Sequence, residues 1–431
     1  HRKCRCHSRP GSEPFGIGTL AFRRATTRRD HPSLALPKEP PLSPLVPAHR
    51  TESFTESVIR EMTRVAREHD ALNLAQGFPD FPAPAALKEA ACEAIRNDVN
   101  QYAITWGAPR LREALEKSYR ELYGMDVEGD REITVTCGAT EAMVSVVLAL
   151  LNPGDELLVL EPFYENYGPD AVLCGATPVF VRLDAPDYAL DADRIAAAVT
   201  PRTRAIILNT PNNPTGRVFS REELDAVAAL CRKHDLVAIT DEIYEHIIYA
   251  GEHIPMATLE GMRERTVTVS GASKTFSVTG WRVGTIVAPP VLTQAIRKVH
   301  DFLTVGAPAP LQEAVATGLT DLGSTYYDSL ARDYKARRDV LVPALQESGF
   351  DCLPPQGAYY VLADFSALDS SDDTAFAHRL TREAGVTPVP GSSFYSVPER
   401  GGSRVRFAFC KRIETLERAA ERLRRFGAAG A

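Results

Sequence analysis

The chain has 431 residues, 44% hydrophobic, 24% charged and 8% aromatic. That suffices for a large core without disulfide or metal staples, and for about two to three ordinary domains. A formal net charge of -7 excludes the basic field that binding a nucleic-acid backbone requires, and no apolar run approaches the ~20 residues of a membrane span.

Eight cysteines stand at 4, 6, 92, 137, 174, 231, 352 and 410. They form neither a compact disulfide framework nor paired C-x-x-C zinc ligands, so no metal is expected. Several sit in apolar runs, and they read as free thiols of a reducing compartment. Residues 1–50 are rich in Arg, Pro and Ser, poor in acids, and without periodicity. They read as a disordered extension. A transit peptide has a similar composition, but Pro37, Pro40, Pro41, Pro44 and Pro47 do not suit an amphipathic targeting helix. The expected location is therefore the cytoplasm.

From about Thr51 the pattern becomes globular. Residues 133–137 read as a strand, followed by Gly138 and a helix to Leu151 that Asn152-Pro153-Gly154 stops. Residues 156–160, 179–183 and 205–208 are further strands. Ser220-Arg-Glu-Glu223 is a capping box opening a helix to about His234, and strands follow at 236–240 and 266–270. Near-continuous apolar strands separated by helices imply an α/β fold with a mostly parallel, mixed sheet sandwiched by helices. From about Tyr334 come a long helix, strands at 359–362 and 405–409, and a last helix. This reads as a smaller α+β domain built from both ends of the chain. The expected division is an N-terminal arm and part of the small domain at 51–95, a large cofactor-binding domain at 96–333, and the rest of the small domain at 334–431.

In open parallel sheets ligands lie beyond the carboxyl ends of the strands. Gly138-Ala139-Thr140 opens a helix there, and small residues with helix-start N–H groups favour an anion. The other strand ends lead into Asn209-Thr-Pro-Asn-Asn213-Pro-Thr-Gly216, Asp241-Glu-Ile-Tyr244 and Gly271-Ala-Ser-Lys274, with Arg282 beyond. Singly, Asn213 reads as a turn residue, Asp241 as a helix cap and Lys274 as a loop lysine. Together they match the plan of pyridoxal 5'-phosphate catalysis. A lysine amine forms a Schiff base with the aldehyde. A carboxylate keeps the ring nitrogen protonated so that the ring accepts electrons. A phenol and an amide contact the ring oxygen, and helix-start amides with an arginine hold the phosphate.

The window Gly271-Ala-Ser-Lys-Thr-Phe-Ser-Val-Thr-Gly-Trp-Arg-Val-Gly284 resembles the Schiff-base lysine signature of the fold-type I, class I aminotransferases. The motifs at Asn209 and Asp241 are similar to that family's other central motifs. The resemblance runs from about Thr51 to the C-terminal helix. Asn73-Leu-Ala-Gln-Gly-Phe-Pro-Asp-Phe-Pro82 and Asn100-Gln-Tyr102 are most similar to the kynurenine, glutamine and methionine aminotransferase group. The resemblance implies that Lys274 is the Schiff-base lysine and proton shuttle, and that Asp241 pairs with the ring nitrogen. Asn213 and Tyr244 would contact the ring oxygen, and Tyr164 would stack on the ring. The amides of Ala139 and Thr140, with Arg282, would hold the phosphate. Tyr102 would reach the phosphate of the neighbouring subunit's site, which implies a homodimer with shared active sites. Arg406 would grip the substrate α-carboxylate, with Gly77 and Asn213 beside it.

Two positions depart from the pattern. Many relatives have a phosphate-binding serine where Gly271 stands; Ser270 and Ser273 are the substitutes, Ser273 ahead. Arg404 and Arg406 share one strand face, and Arg404 reads as a rim or surface charge. The implied activity is ping-pong transfer of an amino group between an L-amino acid and a 2-oxo acid. No second arginine stands out for a dicarboxylate, while Tyr102, Trp106, Phe302 and Tyr359 are candidates for an apolar pocket or for core packing. Methionine, glutamine, kynurenine and phenylalanine are therefore the expected donors. An aspartate-type aminotransferase and a C–S β-lyase on the same fold are the alternatives. A transcription regulator lacks its DNA-binding module here, and Gly138-Ala-Thr-Glu does not supply the glycine fingerprint of a nicotinamide dehydrogenase.

Overall fold

Alternate residues along the central strands are buried on opposite faces of one sheet. Leu157 and Val159 pack with Ala142, Met143, Val146 and Val147 of the helix Ala139–Leu150. Leu158 and Leu160 point the other way, into a cluster holding Val227, Ala228 and Cys231 of the helix Arg221–His234. With a side-chain period of two and both faces covered, every position must be apolar, which is why these strands are continuous apolar runs in the sequence.

The computed structural model describes residues 46–54 and 56–430. The readings for residues 1–45, Cys4 and Cys6 included, lie outside the described residues, and a 3-10 turn at His49–Ser53 opens the globular part. The strands, in chain order, are β1 (Leu72–Asn73), β2 (Ile133–Thr136), β3 (Glu156–Glu161), β4 (Thr177–Arg182), β5 (Thr203–Asn209), β6 (Val237–Asp241), β7 (Thr266–Gly271), β8 (Gly284–Val287), β9 (Tyr360–Asp364), β10 (Val386–Thr387), β11 (Val389–Pro390) and β12 (Arg404–Ala408). Seven form the central sheet in the order β2-β8-β7-β6-β5-β3-β4. Its pairings are parallel from β4 through β7, whereas β8 runs antiparallel to both β7 and β2. The fold is α/β with a mixed sheet. β8 was hidden in the sequence because its four residues continue the lysine window without a period of their own.

The remaining strands come from both ends of the chain. β11, β12 and β9 form an antiparallel sheet, and β1 pairs with β10 in parallel. The Leu74 amide donates to Thr387 O at 3.0 Å, and the Ala408 amide donates to Leu74 O at 2.7 Å. These bonds bring the segment after β1 against β12. The long helix expected from about Tyr334 begins at Gly323 and runs to Glu347, so the boundary expected at 333/334 falls inside a continuous helix, not in a linker. Of the cysteines in the described residues, Cys92, Cys137, Cys174, Cys231, Cys352 and Cys410 are free thiols. Among the described residues no helix is long and apolar enough to cross a membrane.

The capping box forms as read: Ser220 Oγ accepts from the Glu223 amide at 3.3 Å, and Glu223 Oε2 accepts from the Ser220 amide at 2.7 Å. Ser220→Ala removes one of these bonds and should lower unfolding stability by about 1 kcal/mol, measured by urea denaturation; an unchanged midpoint would contradict the cap's contribution.

Candidate active site

β2, β3, β5, β6 and β7 end on one edge of the central sheet, and chemistry-bearing residues follow each of them. Asp241 is the last residue of β6, in register with Asn209 at the end of β5. Lys274 lies in a short helical turn directly after β7, and Ala139 opens the helix that follows β2. Together they line a cavity of about 480 Å³. Its wall includes Gly77, Ala139, Thr140, Tyr164, Asn213 and Asp241, and also Tyr244, Ser273, Lys274, Arg282 and Arg406. Of the residues given a catalytic, cofactor or α-carboxylate role by the resemblance, Tyr102 lies elsewhere.

Charge is distributed unevenly in this cavity. Arg406 is fully buried. Nη1 donates to Asn213 Oδ1 at 2.8 Å and Nη2 to Ala75 O at 2.6 Å, while Nε has no partner. Its guanidinium lies over the rings of Tyr360 and Phe394. Among the described residues no carboxylate pairs with it. Asp241 is the complementary case. Its Oδ2 accepts from the Tyr167 hydroxyl at 2.7 Å and its Oδ1 from the Ile243 amide at 3.3 Å. Burial pushes its carboxyl above the usual range, against these hydrogen bonds and the nearby Lys274, and no cation forms an ion pair with it among the described residues. Buried charges without an ion-pair partner are costly, and each would gain from an opposite charge brought by a ligand.

Lys274 Nζ donates to Gly77 O at 3.3 Å, and burial pulls its pKa down to about 8. The Tyr244 hydroxyl donates to the Tyr360 hydroxyl at 3.1 Å, and burial raises the pKa of Tyr244, keeping it a neutral donor. Gly77 must be glycine: a Cβ there would lie 2.0 Å from the Tyr360 hydroxyl. Gly138, at φ +83°, leaves no room for a Cβ beside Arg282 Nη2 at 2.5 Å and offers no side chain to cap its helix. The first N–H groups of that helix therefore face the cavity with their partial positive charge. Arg282, at φ +54°, donates to Thr279 O at 3.1 Å and approaches Thr140 Oγ1 at 3.5 Å.

The structure separates the alternatives that the sequence left open. Ser270 does not face the cavity; its hydroxyl donates to Glu245 Oε1 at 2.5 Å, whereas Ser273 borders it. Arg404, read as a rim or surface charge, lies outside the cavity and pairs with Asp364 at 3.8 Å. None of the four aromatic pocket candidates lines the cavity within this chain. Tyr102 and Phe302 are 89% and 92% exposed. Trp106 lies beneath the Arg297 guanidinium, and Tyr359 is buried with its hydroxyl donating to Gly77 O at 3.0 Å. The sequence reading missed Tyr167, Tyr360, Asn209 and Arg60, all on the cavity wall. Asn209 was inside a recognised motif, and its amide joins two strand ends by donating to Asp241 O at 2.8 Å and accepting from the Asn213 amide at 2.7 Å. Tyr167 follows Tyr164 by three residues; helical spacing was its signal.

Comparison with known proteins gives the family. The profile of the family "Aminotransferase class I and II" matches residues 69–423. The chain belongs to this family, and it is an aminotransferase. It is 41% identical to a probable N-succinyldiaminopimelate aminotransferase, DapC, of Mycobacterium tuberculosis, over 87% of this chain and 97% of that protein. It is 38% identical to human kynurenine–oxoglutarate transaminase 1, over 88% of this chain and 98% of the relative. The crystal structure of YbdL from Escherichia coli, reported with a methionine aminotransferase function, superposes with a TM-score of 0.85 at 38% identity, covering 89% of this chain and all of that one.

A lysine whose pKa falls to about 8 loses its proton around that pH, well below a surface lysine near 10.4. Reductive labelling at Lys274 with a small aldehyde and borohydride should therefore rise through a midpoint near pH 8, read by peptide mass spectrometry. A midpoint above pH 10 would contradict the burial effect.

Proposed function

We propose that this cavity binds pyridoxal 5'-phosphate and carries out ping-pong transamination between an L-amino acid and a 2-oxo acid. The observation that carries the reading is the pair of buried groups of opposite charge, Asp241 and Arg406, neither in an ion pair among the described residues, on the same cavity as a buried lysine. The cofactor's protonated ring nitrogen would complete Asp241, and a substrate α-carboxylate would complete Arg406. The donor set fits the remaining groups of the cofactor. The amides of Ala139 and Thr140, with Arg282 and Ser273, would hold the phosphate. Asn213 and Tyr244 would meet the ring oxygen, Tyr164 would cover the ring, and Lys274 would carry the covalent link.

When bound, pyridoxal 5'-phosphate supplies an aldehyde that condenses with amines and a ring that accepts the electrons released at the substrate Cα. This chain's residues do the rest. Arg406 fixes the α-carboxylate, with Asn213 Oδ1 holding the guanidinium in place. Lys274 Nζ would hold the covalent link and, when free and uncharged, would be the base that moves the proton at the substrate Cα. Proximity makes that transfer effectively unimolecular. Asp241 stabilises positive charge on the ring nitrogen, and Tyr167 and the Ile243 amide keep its carboxylate oriented.

The preferred donors are proposed to be neutral or aromatic amino acids such as methionine, glutamine, kynurenine or phenylalanine. The cavity's apolar and aromatic members, among them Ile59, Phe78, Met143 and Tyr360, support this, as do the methionine and kynurenine relatives. The working unit is proposed to be a homodimer in the cytoplasm. Its support is a surface region where Tyr102, Ile104, Phe302, Leu303 and Val305 expose large apolar side chains, a common mark of an interface. Tyr102, remote from its own cavity, is assigned to the partner's phosphate. Segments 51–95 and 334–431 are proposed to form the small domain and 96–333 the large one, joined through the helix Gly323–Glu347.

The test is the half-reaction. Purified enzyme loaded with cofactor should show the absorbance change of amination on adding methionine or kynurenine. Lys274→Ala should abolish turnover, and a mutant keeping substantial transamination would overturn the assignment. Asp241→Ala should retain cofactor but lose at least about a hundredfold in kcat, as for removal of a preorganised electrostatic partner; wild-type rates would refute its role. A strong preference for aspartate as donor would overturn the substrate reading.

A further inference from the structure

Three arginines border the cavity among the described residues: Arg60, Arg282 and Arg406. Two are engaged. Arg406 is held by Asn213 and Ala75, and Arg282 by Thr279 and Thr140. Arg60 is exposed and donates no side-chain hydrogen bond among the described residues. The acid that feels its charge, Glu56, is gripped by Arg64 at 2.6 and 3.3 Å. Arg60 sits in the first turn of the helix Val58–Glu68, and that turn is fixed over the cavity because the Ser57 hydroxyl donates to Glu165 Oε1 at 2.5 Å. Ser57, Ile59 and Glu165 border the same cavity.

We infer that Arg60 is the specificity residue for a substrate with a second carboxylate: it meets the distal acid of a 2-oxo dicarboxylic acceptor whose α-carboxylate rests on Arg406. The inference rests on the transamination reading above. A ping-pong enzyme must admit both partners to one site in turn. Were the second cation as buried as Arg406, a neutral side chain would leave it desolvated and unpaired, at high cost. At the rim, Arg60 stays hydrated when the side chain is neutral, while the neighbouring Ile59 offers apolar contact. When the side chain is anionic, the guanidinium pairs with it in a charge-assisted, bidentate manner. One cavity thereby serves an uncharged donor and a doubly charged acceptor.

The experiment compares the wild-type holoenzyme with Arg60→Ala and Arg60→Lys. It measures kcat/KM for 2-oxoglutarate relative to pyruvate, with methionine as donor. Calorimetry then gives the affinity of the unreactive dicarboxylate glutarate. The 2-oxoglutarate to pyruvate ratio should fall about tenfold in Arg60→Ala, the scale of one exposed charge-assisted contact. Arg60→Lys, which keeps the charge but not the bidentate fork, should restore only part of it, and glutarate binding should weaken in Arg60→Ala in parallel. A ratio and a glutarate affinity that do not move would overturn the assignment of Arg60 alone, provided the methionine half-reaction is intact. Loss of that half-reaction in the wild type would instead bring down the transamination reading and this inference with it.

Discussion

A guanidinium with no exposed surface and, among the described residues, no counter-ion is the constraint around which this molecule is arranged. Arg406 lies on β12, in register with Val389 and Leu362, and its charge is held by one amide oxygen, one carbonyl and two aromatic faces. Such a charge is tolerable only if its hydrogen-bonding groups are nearly satisfied. The unpartnered Nε is where that satisfaction stops. The surrounding structure makes the exception possible. β1 crosses to pair with β10, which brings Ala75 and Gly77 to Arg406 from a part of the chain more than three hundred residues away, as the Arg406–Ala75 bond shows.

The opposite charge is managed by the large sheet. Asp241 ends a strand whose neighbours are buried, and three groups support it: the Tyr167 hydroxyl, the Ile243 amide, and Asn209, which bonds its backbone carbonyl. The two charges come from different sheets, so the cavity is complete only when both are packed. The helix Gly323–Glu347 is continuous across the expected boundary and ties the two regions. Lys274 stands on this shared cavity, and its lowered pKa has the same origin as the raised pKa of Asp241: burial disfavours the charged form of each.

The rim obeys different physics. Arg60 remains in water, where an arginine costs nothing when unpaired and gains only modestly when paired. That modest gain is what a site shared by two unlike substrates needs, because a strong fixed charge would exclude one of them. Tyr102 and Phe302 are likewise exposed on this chain, away from the cavity.

Much of the site was legible in the sequence because its residues follow strands. Asp241, Asn213 and Lys274 stand within a few residues of apolar runs, and chemistry at strand ends is dictated by sheet geometry. The capping box and the burial of both strand faces were legible for a similar reason: they are patterns of local spacing. What the sequence could not contain was proximity between distant segments. Tyr360 against Gly77, Tyr167 on Asp241, Arg404 turned toward Asp364 and Arg60 over the cavity depend on how sheets and helices pack, not on local spacing. The sequence determined most strands of the central sheet, β8 excepted, and the residues that follow them, since periodicity and chain stiffness act within a few residues. Only tertiary structure decided which charges are buried without partners, because desolvation is set by everything that surrounds a group at once.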